Sequence, residues 1–438
     1  MKNTIRLRLT LALLTLFAFT SASGVSASIA DSAPAPVPLP PTWPAPFEDP
    51  YRASLMYALL TGSDANARTE SIQLFPGRRQ IPVLGGRTDF RFSFYPSRPG
   101  APLVILFPGL GGYHREGAVL FAANLYNRAG YNVLSVPSTM NWSFALSASA
   151  TGIPGHAADD AEDLYPALVR AIRHVENRYH TRFGRIGIAG FSLGAMDSAW
   201  VARLDRERKE LGISAVLMVN PPVDTLHGIS VLDSLNELGS SWDTRYKDAI
   251  RGYAIGYYLQ VMQRYAHSAP DFEEIARDFD LNSAQIRWLV GDSFHSSVRD
   301  TVLASQQVND LGILKTPLTR YHWNARTEEA AALTYRDYME RLVLPSWSRR
   351  HGVTADLGEM LKGTGLRPLE SFLRDEKNLR VLHAMDDFLL QPQDLEFLRT
   401  TLGNRLKLYP LGGHGGYLWQ QETVRDLLAA MAPLNGTQ

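Results

Sequence analysis

The chain has 438 residues, of which 45% are hydrophobic and 20% charged, enough apolar material for a substantial core in one large or two smaller globular units. Lys and Arg total 44 and Asp and Glu total 44, so no net field draws the chain to nucleic acid or to an anionic membrane surface. It has no cysteine, which excludes disulfides, thiolate metal sites and lipid attachment through a thiol.

At the N-terminus, Lys2, Arg6 and Arg8 precede an apolar run over residues 9–19 that is short for a bilayer span, and a small-residue stretch follows to Ala30. This is the pattern of a secretory signal over residues 1–30, cleaved after Ala27 or Ala30, and it predicts export to a periplasm or the medium. Residues 31–50 are rich in Ala and Pro and read as an extended tether without a packed core. No later apolar run is long enough to span a bilayer, so the mature chain is expected to have no integral membrane span.

From residue 51 the pattern is globular. Phe90-Arg91-Phe92-Ser93-Phe94-Tyr95 alternates and predicts a half-buried edge strand. Leu103-Val104-Ile105-Leu106-Phe107 is continuously apolar, as a strand covered on both faces should be. Helical spacing over 117–129, with Gly130 as its cap, leads to a strand at 133–136 and a long helix at 157–179. A strand at 186–189, a helix at 195–208 and a strand at 215–219 follow. Four apolar strands alternating with three helices predict a parallel, doubly wound α/β sheet in residues 51–226, with its functional loops at the C-terminal strand ends.

The alternation then stops. Residues 227–375 carry mostly helical pattern, including predicted helices at 247–265 and 327–344, and are too long for a loop; they read as a helical cap folded over the sheet. The first of these helices is unusually aromatic, with Tyr253, Tyr257, Tyr258 and Tyr265. That stripe is either core between cap and sheet or the lining of an apolar ligand site. Strands at 379–382 and 406–409 and a helix at 423–431 complete the sheet domain in residues 376–438.

One stretch organises these elements. Gly190-Phe191-Ser192-Leu193-Gly194 interrupts an apolar strand just before a helix, as a nucleophile elbow does. A serine hydroxyl is a poor nucleophile at neutral pH and needs an imidazole to take its proton and a carboxylate to orient that imidazole. His414, in Gly412-Gly413-His414-Gly415-Gly416, is the base candidate among 11 histidines, because it follows the last strand in a loop able to fold back. The acid candidate follows the penultimate strand, where Asp386 and Asp387 are adjacent; Asp387 is favoured and Asp386 is left a turn or capping role. Backbone N–H groups for an oxyanion are expected from Leu193, next to the nucleophile, and from Leu110 in Pro108-Gly109-Leu110-Gly111-Gly112 after the first buried strand.

Together, the elbow, the order Ser192, Asp387, His414 and the two Gly-rich loops resemble the α/β-hydrolase superfamily over residues 91–430. The resemblance implies a mostly parallel eight-stranded sheet with helices on both faces, a helical cap inserted between the sixth and seventh strands, and a metal-independent acyl-enzyme mechanism. The chain departs from many members in having Pro108-Gly109 where they have His-Gly, which leaves the subgroup open.

The substrate implied is a small-molecule or lipid-like acyl compound, and the activity an exported carboxylic ester hydrolase. An amidase or peptidase with the same residues, or a non-catalytic ligand-binding member of the fold, are the alternatives. Tyr113 and His114 beside the Gly-rich loop, Trp142 after the 133–136 strand, and Phe191 in the elbow are candidates for substrate contact. Gly291-Asp292-Ser293-Phe294 is similar to a Gly-Asp-Ser esterase motif but follows a helical segment in the insertion, and is read as a helix-start turn. No metal-ligand spacing, phosphate-cradling loop or dinucleotide fingerprint is present, so no metal and no cofactor are expected.

Overall fold

The eight strands form one sheet in the order β1-β2-β4-β3-β5-β6-β7-β8. They are β1 (Arg68–Ile72), β2 (Phe90–Tyr95), β3 (Leu103–Phe107), β4 (Asn132–Ser135), β5 (Ile186–Phe191), β6 (Ile213–Val219), β7 (Leu379–Ala384) and β8 (Leu406–Tyr409). Only β2 is reversed, pairing antiparallel with both β1 and β4, and every other pair is parallel. The computed structural model describes residues 47–60, 66–78, 81, 88–265 and 270–436. The expected signal over 1–30 and the tether up to residue 46 lie outside the described residues.

Continuous apolar strands follow from burial on both faces. Leu103, Ile105 and Phe107 of β3 face the helices Ala157–Tyr179 and Leu193–Arg208, through Leu164, Leu168, Ala195 and Ala199. Val104 and Leu106 face the other way, onto Ala122 and Tyr126 of Gly117–Arg128 and Leu427 and Met431 of Gln421–Met431. Side chains alternate along a strand, so two helical layers bury all five residues.

Two elements near the N-terminus differ from expectation. Phe90–Tyr95 is not the edge, because β1 covers it. That outer strand, Arg-Thr-Glu-Ser-Ile, is polar as exposed edges are, and it gives no apolar signal. Its inward Glu70 is buried and bonds His174 Nε2 (2.8 Å) and the Tyr179 hydroxyl. The tether also ends earlier than residue 50. Phe47 is buried against Met56, Leu59, Val261 and Ile275, and Asp49 caps a short helix, Pro50–Leu55.

The insertion lies between β6 and β7, and no strand occurs among its described residues. Its spine is the helix Ser283–Val308, which starts at a capping box formed by Asn282 and Gln285. Val298 and Val302 pack with Ile229, Leu232, Leu342 and Met360 in a separate core over the sheet. Gly291-Asp292-Ser293-Phe294 is the middle of this helix and not its start. A Cβ on Gly291 would strike the backbone of Asn236, and the buried Asp292 carboxylate accepts two bonds from Arg251, from Nε (2.9 Å) and Nη2 (2.9 Å). The aromatic helix runs Thr244–Arg264, and its Tyr257 packs on Phe279 and beside Leu55, so the stripe meets the N-terminal helix rather than the sheet. The helix expected over 327–344 is divided, because Thr334 accepts the Asp337 N–H and starts a new turn after Trp323–Ala331. Leu366, Leu369, Phe372 and Leu373 already belong to the sheet core, so the cap merges with the sheet domain before residue 375. Among the described residues no helix is long and apolar enough to cross a membrane.

Two outcomes follow. Removing one partner of a buried ion pair costs about 3–5 kcal/mol when the other charge is left alone. Arg251 keeps a second carboxylate, Asp248 (2.8 Å), so Asp292→Ala should fall at or below the low end of that range in denaturant unfolding, and Arg251→Met with Asp292→Leu should cost less still. Asp197, buried near the start of the Leu193–Arg208 helix and bonded by Thr139 Oγ1 (3.0 Å), has its carboxyl pushed up to about 7 by burial. Its folded pKa thus exceeds its unfolded one, and the stability it contributes is complete at acid pH and is lost as pH rises through about 7. The loss runs from the ordinary carboxylate range up to about 7 and is flat above, so thermal midpoints of the native protein should fall between about pH 4 and pH 7, and Asp197→Asn should flatten that decline.

Candidate active site

β5 ends at Phe191 and the next helix starts at Leu193, leaving Ser192 alone on the turn. Its φ of 54° and ψ of −121° are unusual for a side-chain-bearing residue. The turn is held from both sides: the Ser192 N–H donates to the Val219 carbonyl (2.8 Å), and the Ser192 carbonyl accepts from Ala195 N (2.9 Å). Gly190 and Gly194 are required by crowding. A Cβ on Gly190 would run into the Gly194 carbonyl, and one on Gly194 into the carbonyl of Pro108.

The loop after β8 brings His414 to this turn. Its Nε2 lies 2.7 Å from Ser192 Oγ and its Nδ1 lies 2.8 Å from Asp387 Oδ2. With a carboxylate at Nδ1, that nitrogen carries the proton and donates, and Nε2 is free to accept the serine O–H. Burial pushes the Asp387 carboxyl up, but the charge and hydrogen bond of His414, with His383 behind, outweigh it and hold it below the ordinary value. The side chains of Asp387 and His414 are both buried.

The carboxylate facing His414 is therefore that of Asp387. Asp386 serves the same loop differently, accepting the N–H groups of Gly413 (2.8 Å) and Gly412 (3.2 Å). Burial raises its carboxyl to about 6. It is thus a loop anchor, not a helix cap.

Asn220, at the end of β6, went unremarked in the sequence. It holds a left-handed φ of 48°, and its Nδ2 donates to Asp387 Oδ2 (2.7 Å) while its Oδ1 accepts the Tyr417 hydroxyl (2.7 Å). The signal was present: an Asn, tolerant of positive φ, at a C-terminal strand end just before Pro221-Pro222. Leu389 N–H donates to the other Asp387 oxygen (3.0 Å). His383 is buried within this cluster, and burial holds its pKa below the ordinary value, so it faces Asp387 as a neutral ring at 3.7 Å.

As the first residue of its helix, Leu193 has an N–H with no intrahelical acceptor. The loop bearing Leu110 abuts the serine: a Cβ on Gly109 would lie 3.2 Å from Ser192 Cβ. That loop is tied by Asn141 Nδ2 to the Gly111 carbonyl (2.7 Å) and by Ser138 N to the Gly112 carbonyl (3.0 Å). Leu110 and Leu193 both pack against the cap core, together with Phe294 and Phe388. The Phe294 and Phe388 rings lie 6.3 and 5.9 Å from the His414 ring.

Three expected substrate contacts lie elsewhere. His114 is fully buried, its Nδ1 bonded to Ser93 Oγ (2.7 Å), and burial lowers its pKa to about 3; it is a neutral core residue. Phe191 points into the sheet core among Val104, Leu106 and Tyr417, because the strand alternation that lifts Ser192 out turns its neighbour in. Trp142 packs on Ile81, Ala145, Leu146 and Ala304 at the flank of the cap spine. Tyr113 is half-buried, its ring 4.1 Å from that of His114. Among the described residues no group of three or more His, Cys, Asp or Glu is arranged to hold a metal ion.

No protein-family model and no curated protein matches the chain. Among solved structures it is similar to the thioesterase domain from the curacin biosynthetic pathway, at 12% identity over 83% of this chain and 99% of that one, with a TM-score of 0.38. It is similar to EstE1, a thermophilic carboxylesterase cloned from a metagenomic library, at 14% identity over 89% and 95% of the two chains, with a TM-score of 0.39. Brefeldin A esterase, a bacterial homologue of human hormone-sensitive lipase, matches at 14% identity over 92% and 91%, with a TM-score of 0.38. The strand order, the single reversed strand and the serine turn between β5 and its helix decide the matter without these likenesses. On its own topology, the chain has the α/β-hydrolase fold.

Proposed function

We propose that this chain is an exported serine hydrolase that cleaves carboxylic esters or related acyl bonds through Ser192, His414 and Asp387. The observation that carries the reading is the continuous line from Ser192 Oγ to His414 Nε2 (2.7 Å) and from His414 Nδ1 to Asp387 Oδ2 (2.8 Å), on a strained strand-to-helix turn. Export is supported by the basic, apolar and small-residue succession in residues 1–30.

In this reading the Ser192 oxygen attacks the ester carbonyl carbon while His414 Nε2 takes the hydroxyl proton. The imidazolium so formed is stabilised by the ionised Asp387, which also keeps the ring in the tautomer able to accept. Negative charge develops on the former carbonyl oxygen, and the N–H groups of Leu193 and Leu110 receive it. The tetrahedral species expels the alcohol, which takes its proton from His414. Water, deprotonated by the same ring, then attacks the acyl-serine; the second tetrahedral species expels the Ser192 oxygen, which takes the proton back from His414, and the acid leaves. The apolar flank of Leu110, Leu193, Phe294 and Phe388 favours an apolar acyl or aryl group. Peptide or amide substrates would use the same groups, and a comparison of ester with amide turnover separates the two.

A fluorophosphonate probe should label the native protein and fail to label Ser192→Ala, and ester turnover by that variant should fall by roughly 10⁴-fold or more. Equal labelling of both, or of neither, removes the catalytic reading and leaves ligand binding as the alternative. Asn220→Ala leaves both Asp387 Oδ2 and the Tyr417 hydroxyl short of a partner. A hydrogen bond to a charged group contributes about 1.5–3 kcal/mol, so kcat should drop by roughly ten- to a hundredfold in steady-state assays.

A further inference from the structure

His414 sits on a loop rich in glycine and outside the sheet, yet its ring must stay aligned with two partners. The short helix Pro50–Leu55, immediately after the proline-rich stretch, lies directly on that loop. Ser54 Oγ accepts the His414 backbone N–H (2.7 Å) and donates to the Pro50 carbonyl (2.6 Å). The approach is close enough that a Cβ on Gly413 would strike the Pro50 carbonyl and one on Gly416 the Ala53 carbonyl. The helix is itself held at three points. Asp49 Oδ1 caps it through Tyr51 N and Arg52 N (2.9 Å each). The Tyr51 ring stacks on Phe388, next in sequence to Asp387, at 4.7 Å and 14°. Arg52 donates from Nη1 to the Phe279 carbonyl and from Nη2 to the Leu281 carbonyl (2.8 Å each), just ahead of the cap spine. The Arg287 guanidinium of that spine lies 4.8 Å over the Tyr51 ring.

We propose that Ser54 is a positioning residue for His414, and that Arg52 ties this support to the cap, so that the N-terminal helix couples the placement of the cap to the alignment of the base. The inference rests on the reading of His414 as the base. A ring displaced by a fraction of an ångström loses proton transfer before it loses substrate binding, so the signature is a fall in kcat at nearly constant KM. Both side chains act through one helix, so their effects should not multiply.

The test uses the full chain, with a chromogenic short-chain ester and a fluorophosphonate probe. Ser54→Ala should lower kcat on the order of tenfold with KM within about twofold, and slow the labelling of Ser192 in proportion. Arg52→Ala should produce a smaller loss of the same kind, and the double variant should be no slower than about the worse single one. Thermal midpoints recorded alongside show whether each variant is folded at the assay temperature. Native kcat and labelling in folded Ser54→Ala overturns the positioning role, and strictly multiplicative losses overturn the coupling through Arg52. Should Ser54→Ala not fold, Arg52→Ala alone decides, and its native kcat rejects the proposal. If the native protein neither turns over ester nor takes the probe, it is the hydrolase reading that fails.

Discussion

A side-chain-bearing residue held at φ 54° and ψ −121° is the constraint on which this structure turns. Such a conformation costs on the order of 1–3 kcal/mol and persists only where its surroundings allow nothing else. Those surroundings are visible: β5 is clamped between β3 and β6, the Ser192 N–H is held by the end of β6, and the following helix takes over the Ser192 carbonyl. The two flanking glycines let the Pro108 loop and the helix start come within contact distance. A buried parallel sheet therefore converts apolar burial into a hydroxyl held out at its C-terminal edge, where the ends of β3, β6, β7 and β8 can reach it.

Those strand ends share the work unequally. β7 delivers two adjacent carboxylates with opposite tasks: Asp387 meets the imidazole, and Asp386 gathers the backbone of the loop that carries it. Their environments separate them. Asp387 receives the imidazole N–H of His414 and is held ionised, whereas Asp386, largely buried with only backbone amides to bond and the Asp387 charge beside it, is raised to about 6. β6 supplies Asn220, which bonds the acid on one side and Tyr417 of the histidine loop on the other. The loop after β8 thus has anchors at Asp386, Asn220 and Ser54, which a chain of glycines could not provide for itself.

The cap and the N-terminus are joined through the same region. The cap core takes Leu110 and Leu193, whose amides face the reaction in the proposed mechanism, into its apolar surface. Its own interior holds together through close helix contacts at Gly291 and the buried Arg251–Asp292 pair, which accounts for a Gly-Asp-Ser string that has no part in the chemistry. The aromatic helix Thr244–Arg264 packs on the N-terminal segment through Val261 and Tyr257, and on the cap spine through Ile250 and Ala254.

Local pattern alone was enough to reveal the alternating strands and helices, the interruption at Ser192, the insertion and the placing of His414 and the acid at later strand ends, because each is written in short-range periodicity or in glycine spacing. It was not enough for β1, whose polar edge carries no periodic apolar signal, nor for the packing of Phe47 and the helix after it, which depends on partners more than 200 residues away. Between Asp386 and Asp387 it gave a preference for Asp387 without fixing it, since adjacent strand-end residues differ only in where a distant loop lands. His114, Phe191 and Trp142 lie near the site in sequence, yet strand alternation turned Phe191 into the interior, the bond to Ser93 Oγ holds His114 there, and helix packing set Trp142, half-buried, at the flank of the cap spine. The sequence by itself determined which chemistry the chain could carry. Tertiary structure decided which carboxylate faces the histidine and what holds that histidine still, because both rest on contacts between segments the chain brings together only when folded.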